Sequence, residues 1–269
     1  MKFYITLVIV LAFSCIPNNV TVDNSLERFF NDNHVVGTFG LYDNGKGNFI
    51  VYNLSRFKDS IYLPASTFKI VNSLVGLESG RIVDEKMVIK WDGIKRAREE
   101  WNQDLTMAQA FKLSAVGYYQ EVARRIGRDT MQHWLDTLGY GSRYQKAKIS
   151  KIDSFWLDNE VKVTADEQLG LVKKLYFDQL PFQKRTMRIV KDVMVQEKNS
   201  NYALAYKTGW GFKENGKAIG WIVGWVVENQ HVYPFALNVE GPHDLDMLTV
   251  RINILKGILK KLGFLEGKM

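Results

Sequence analysis

Cysteine is almost absent: the 269-residue chain has one, Cys15. A single thiol excludes an intrachain disulfide framework and a zinc site built from cysteines. Histidine is scarce as well. His34, His133, His231 and His243 lie far apart with no H-E-x-x-H pair, so spacing offers no metal site. Only five prolines occur, and no proline-rich linker, internal repeat or low-complexity tract divides the chain. After residue 15 no apolar run is long enough to span a bilayer. Lys and Arg outnumber Asp and Glu by 36 to 29, yet a long basic run is missing. In Lys95-Arg96-Ala97-Arg98-Glu99-Glu100 and Arg124-Arg125-Ile126-Gly127-Arg128-Asp129 the basic residues are interleaved with acids. That distribution argues against a nucleic-acid partner and reads as a solvated basic surface.

What is present is the material of a soluble domain with a sizeable core. Hydrophobic residues make up 46% and charged residues 24%, and the seven tryptophans suit a deep core or an aromatic-lined cleft. Residues 1–15 read as a secretory signal: Met-Lys, an apolar run from Phe3 to Phe13, then Ser14-Cys15. Leu11-Ala12-Phe13-Ser14-Cys15 also resembles a lipobox, although Phe13 fits it badly. In that case Cys15 would carry a lipid anchor on an exported, periplasmic protein. With Cys15 cleaved off or lipidated, no thiol remains for catalysis.

The rest of the chain, 20–269, reads as one domain. Val36–Tyr42 and Asn48–Tyr52 alternate around Asp43-Asn44-Gly45-Lys46-Gly47, a hairpin signature. Ser66–Glu78 is a largely apolar helix stopped at Ser79-Gly80. Thr106–Leu113, Tyr118–Ile126, Met131–Leu138 and Ala165–Leu175 have helical periodicity. Tyr202–Thr208, Ile219–Glu228 and Val232–Val239 read as strands, the last two joined by Asn229-Gln230, and Leu248–Leu262 as a closing helix. The expected fold is α/β of the α+β kind: an antiparallel sheet flanked by helices, with an inserted, mainly helical region.

Three short elements carry chemistry. Ser66-Thr67-Phe68-Lys69 places a hydroxyl and an amine one turn apart on one helix face. Serine needs a base nearby, and a buried or modified lysine can supply one. Alone the motif also fits a capping serine and a snorkelling lysine. It is followed by Ser114-Ala115-Val116 and by Lys207-Thr208-Gly209 at the end of a strand. That order is found in serine β-lactamases and penicillin-binding proteins. The strand would pair with an extended, amide-like substrate, its lysine and threonine would face a carboxylate, and its glycine would leave room for substrate.

On these elements the chain resembles the class D (OXA-type) serine β-lactamases of the penicillin-binding-protein/transpeptidase-like superfamily. The resemblance extends through Tyr62-Leu63-Pro64-Ala65, Lys90-Trp91-Asp92-Gly93, Glu121–Gly127, Ile152-Asp153-Ser154-Phe155-Trp156-Leu157, Trp210 and Gly220-Trp221-Ile222-Val223-Gly224-Trp225. It implies β-lactam hydrolysis, and hence antibiotic resistance, with Ser66 as acylated nucleophile. Lys69 would carry a carbamate made from CO₂ and act as general base, with no dissociable cofactor and no metal. Trp156 would hydrogen-bond the carbamate, and Val116 and Phe68 would keep the pocket dry. Ser114 would pass a proton to the leaving nitrogen. Backbone N–H groups of Ser66 and Trp210 would form the oxyanion hole, beside Gly209. Lys207, Thr208 and Arg251 would surround the substrate carboxylate; without the resemblance Arg251 reads as a surface arginine. Two positions depart from the family pattern. Tyr140-Gly141-Ser142 replaces Tyr-Gly-Asn, and Gly117 stands where proline commonly follows S-x-V.

Other readings share these residues. A class A enzyme would need an E-x-x-L-N segment after Trp156, which is absent. A penicillin sensor or a D,D-peptidase would acylate without efficient turnover. A non-catalytic basic envelope protein would bind anionic wall polymers. Monomer and homodimer stay open, as does the antibiotic spectrum.

Overall fold

The computed structural model describes residues 19–141, 143 and 146–267. The expected export signal, with Cys15, lies outside the described residues, and so does Ser142. The elements run β1 (Val20–Val22), α1 (Glu27–Asn31), β2 (Val36–Asp43), β3 (Asn48–Tyr52) and α2 (Leu54–Asp59). A 3₁₀ turn, Ala65–Phe68, leads into α3 (Lys69–Glu78). The helical region holds a two-residue ribbon, β4 (Val88–Ile89) with β5 (Leu105–Thr106), then α4 (Met107–Leu113), α5 (Val116–Ile126), α6 (Arg128–Leu138), α7 (Ala165–Tyr176) and α8 (Lys184–Met194). The chain then returns through β6 (Val195–Lys198), β7 (Tyr202–Phe212), β8 (Ala218–Glu228) and β9 (His231–Gly241) to α9 (Met247–Lys261).

Seven strands form one sheet in the order β1-β3-β2-β9-β8-β7-β6. All neighbours are antiparallel except β1 and β3, which run parallel. The β8–β9 hairpin closes through Asn229 and Gln230, both at positive φ (49° and 64°), the geometry a two-residue hairpin turn demands. Residues of β8 alternate between two layers. Ile222 and Val226 join Phe235, Leu237, Ile254, Leu255 and Ile258 in a core beneath α9 and α1. Trp221, Val223 and Trp225 face the larger core shared with α3, α5 and α7. Both faces of the central strands are therefore covered, which explains their almost unbroken apolar sequence.

The expected antiparallel sheet with an inserted helical region is the observed architecture. Three local expectations change. The Lys207-Thr208-Gly209 triplet lies within β7, which continues to Phe212. The first turn of the nucleophile helix is 3₁₀ rather than α. Helix α8 was not expected: Lys184-Arg185 opens it, and its buried Met187, Val190 and Met194 stand at i, i+3 and i+7. No helix among the described residues is long and apolar enough to cross a membrane.

Candidate active site

Ser66 sits in the 3₁₀ turn between strand and helix layers. Lys69 follows one turn on, wholly buried, and its Nζ donates to Ser66 Oγ at 2.8 Å. The turn begins at Ala65, whose φ is 48°. A non-glycine residue there costs about 1–3 kcal/mol and persists only where its surroundings fix it. Several bonds do so. Ala65 N–H donates to Trp156 O at 3.1 Å, and Tyr62 and Val163 exchange backbone bonds at 3.0 and 2.8 Å. Thr67 Oγ1 donates to Pro64 O at 2.7 Å and accepts from Gln168 Nε2 at 2.6 Å. Gln168 was missed in the sequence. Its signal is a polar residue among the buried Ala165, Leu169, Leu171, Val172 and Leu175 of α7.

Strand β7 supplies the opposite wall. Strand β6 pairs with it only as far as Ala205, so the edge beyond is open to the 3₁₀ turn. A Cβ at Gly209 would lie 2.9 Å from Pro64 O and 3.1 Å from Thr67 Cγ2. This glycine therefore lets β7 approach the nucleophile turn closely. Lys207 Nζ donates to Ser114 Oγ at 3.0 Å and to Thr208 O at 2.9 Å. Ser114 ends α4 in the left-handed region, φ 58°, which turns its hydroxyl toward Lys207. Arg251 is not a surface arginine. It is 5% exposed and its Nη1 donates to Gly209 O at 2.5 Å.

The cations shape the electrostatics. Burial lowers the Lys69 amine from 10.5 to about 7, because a charged ammonium loses its hydration there. Lys207 is pushed well below its usual value by burial, then by the charges of Lys69, Arg251 and Arg98. Burial also lowers Arg251 to about 10. Such a cluster favours an anion, and burial keeps a large share of Lys69 neutral.

Trp156 is wholly buried and its Nε1 has no hydrogen-bond partner. Phe68 stacks on it at 5.3 Å and 20°, and Phe155 meets it edge-on at 5.0 Å. A buried, unpaired N–H costs about 1–3 kcal/mol, so a missing acceptor at this point is informative. A neutral buried amine and an unpaired donor fit a carbamate on Lys69: the amine would react with CO₂, and Trp156 Nε1 would donate to an oxygen of the product. The ring of Tyr119, 5.5 Å from Lys69 Nζ, adds an apolar wall.

The structure thus joins Ser66 with Lys69, Ser114 with Lys207, and Arg251 with Gly209. Val116 and Thr208 lie half-buried near them. Trp210 is 41% exposed and its ring packs on Phe212.

Comparison with known proteins agrees with this geometry. The profile of the penicillin binding protein transpeptidase domain matches residues 31–260. β-Lactamase OXA-48 of Klebsiella pneumoniae is 38% identical over 239 residues, covering 89% of this chain and 88% of that one. The crystal structure of the class D β-lactamase YbXI from Nostoc has a TM-score of 0.84 and 38% identity, covering 90% of this chain and 99% of the other. The C-terminal domain of the Bacillus licheniformis BlaR penicillin-receptor has a TM-score of 0.85 at 29% identity, covering 91% and 97%.

Proposed function

Because the chain belongs to the penicillin-binding-protein transpeptidase family, and within it to the class D serine β-lactamases, we propose that it hydrolyses β-lactam antibiotics through an acyl-enzyme on Ser66, with Lys69 carbamylated. The observation that carries the reading is the pair of unusual states around the nucleophile: an amine of pKa about 7 bonded to Ser66 Oγ, and an unpaired Trp156 Nε1.

Each residue has a task. Ser66 Oγ gives its proton to the base at Lys69, which lies within hydrogen-bond distance, and attacks the lactam carbonyl carbon, and the C–N bond breaks. Backbone N–H groups of Ser66 and Trp210 receive the negative charge that develops on the carbonyl oxygen. Ser114 hands a proton to the leaving nitrogen and is resupplied by Lys207, to which it is hydrogen-bonded and whose ammonium form the bound substrate carboxylate favours. Lys207, Thr208 and Arg251 hold the substrate carboxylate. A carbamate on Lys69, when present, supplies an anionic oxygen base at the position of the amine. Trp156 holds it by a hydrogen bond, and Val116, Phe68 and Tyr119 limit the entry of bulk water. Water then hydrolyses the ester and frees Ser66. The catalytic domain spans 20–269 and acts after export, which the signal in residues 1–15 directs. Its presence would raise the β-lactam resistance of the cell.

The likeness to a penicillin receptor favours one second reading, a sensor that acylates and stalls. Nitrocefin separates the two. Sustained turnover over many equivalents supports the hydrolase, a single stoichiometric burst supports the sensor, and no reaction overturns both.

A further inference from the structure

Gly117 departs from the family pattern without taking part in the chemistry, and the structure places another side chain on it. A Cβ at Gly117 would stand 2.7 Å from Arg96 Cζ, 2.8 Å from Nη2 and 3.0 Å from Nη1. Three atoms of one plane at such distances mean that the guanidinium lies flat over the first turn of α5. It is tied there. Nη1 and Nη2 donate to Asp92 Oδ1 and Oδ2 at 2.8 and 2.6 Å, and Nη1 also donates to Ile94 O at 3.0 Å. Asn102 fixes the backbone of the same residue, accepting from Arg96 N–H at 2.8 Å and donating to Arg96 O at 3.0 Å.

A cation over a helix N-terminus opposes the helix dipole. Asp92, paired bidentately with it, cancels that charge, and the Arg96 hydrogen bond in turn holds the Asp92 carboxyl down to about 2. The segment makes a second contact with the same turn. Trp101 Nε1 donates to Leu113 O at 3.0 Å. Ser114, Ala115 and Val116 are therefore bracketed: Trp101 grips the residue before them and Arg96 covers the residue after them. Ser114 holds a left-handed φ of 58° without being glycine, a conformation that needs such support.

We propose that Arg96 is a positioning residue for the acylation step: seated in the space that a side chain at position 117 would fill, it holds the α4–α5 turn so that the Ser114 hydroxyl stays on Lys207. In this chain Gly117 and Arg96 act as a pair, the glycine opening the space and the guanidinium closing it. The inference rests on the reading of Ser114 as the proton carrier of acylation.

A double-mutant cycle tests it on the full enzyme. Acylation and deacylation rate constants are measured by stopped flow with nitrocefin for wild type, Arg96→Ala, Gly117→Ala and the double variant, with melting temperatures alongside. Misplacement of a catalytic group by about 1 Å can cost up to about 100-fold. Each single variant is expected to slow acylation by about 10- to 100-fold and to leave deacylation within about twofold. The double variant is expected to be no slower than the slower single, because each change expels the same contact. Multiplying effects would overturn the pairing. Acylation within about twofold of wild type, with only the melting temperature lowered, would overturn the positioning role. A wild type that forms no acyl-enzyme would remove the functional reading itself, and the inference with it.

Discussion

Lys69 Nζ donates to Ser66 Oγ at 2.8 Å from a position with no exposure to solvent. The hydrogen bond joins nucleophile and amine, while burial decides the protonation of the amine. An ammonium in that place loses its hydration, so the neutral form is favoured and the pKa falls to about 7. The neutral form can accept a proton or react with CO₂; the charged form can do neither.

This burial has a stability consequence. The ordinary Lys69 value is 10.5 and the folded value about 7. Above pH 10.5 both folded and unfolded chains hold a neutral amine and no penalty exists. As pH falls from 10.5 to 7 the unfolded chain binds the proton first, and folding loses stability; below 7 the penalty is complete. In CO₂-depleted buffer, Lys69→Met should therefore gain on wild type by a few kcal/mol, roughly 3–5, at pH 6. The gain should shrink toward pH 10. Urea unfolding at the two pH values measures it, and a gain that does not change with pH would contradict the assigned burial cost.

Trp156→Phe keeps the ring beside Phe68 and removes the N–H. A hydrogen bond to a charged group contributes about 1.5–3 kcal/mol. The variant should need about 10- to 100-fold more bicarbonate than wild type to reach half of its maximal activity. An unchanged bicarbonate requirement would assign the unpaired Nε1 to some other acceptor.

Arg251→Ala should raise KM for penicillins by about 10- to 100-fold, as expected for loss of a charge-assisted bond. It should also lower the melting temperature, because Gly209 O loses its partner within the structure. A lowered melting temperature with KM unchanged would make the arginine structural only.

Ser114→Ala should reduce kcat/KM by about 10²- to 10⁴-fold, the usual contribution of a positioned proton donor. The deacylation rate should stay near that of wild type. Near-full kcat/KM would mean that Lys207 protonates the leaving nitrogen without Ser114.

Much of this site was legible in the sequence because its chemistry is local. Ser66 and Lys69 meet through one helical turn, and Lys207-Thr208-Gly209 reads as part of a strand. Distances across the fold were not legible. The bond from Lys207 to Ser114 spans 93 positions, and that from Arg251 to Gly209 spans 42. No periodicity announces either. The burial of Arg251 was invisible for the same reason, since the closing helix looks amphipathic whichever residues end up over β7. The strain at Ala65 leaves no mark either, because alanine carries no preference for positive φ. The fold class followed from the order of elements, whereas the parallel pairing of the three-residue β1 with β3 had no pattern long enough to reveal it. Gly117 stood out in the sequence, but the guanidinium that fills its space did not.

In the proposed mechanism the base built on Lys69 performs deacylation as well as acylation. Intact-protein mass spectrometry of Lys69→Ala after exposure to benzylpenicillin tests it directly. With no base for the second step, the acyl-enzyme on Ser66 should form slowly and then persist, while the wild type treated alike returns to its free mass. A Lys69→Ala enzyme that sheds the adduct as fast as wild type would place the deacylating base elsewhere and contradict the account.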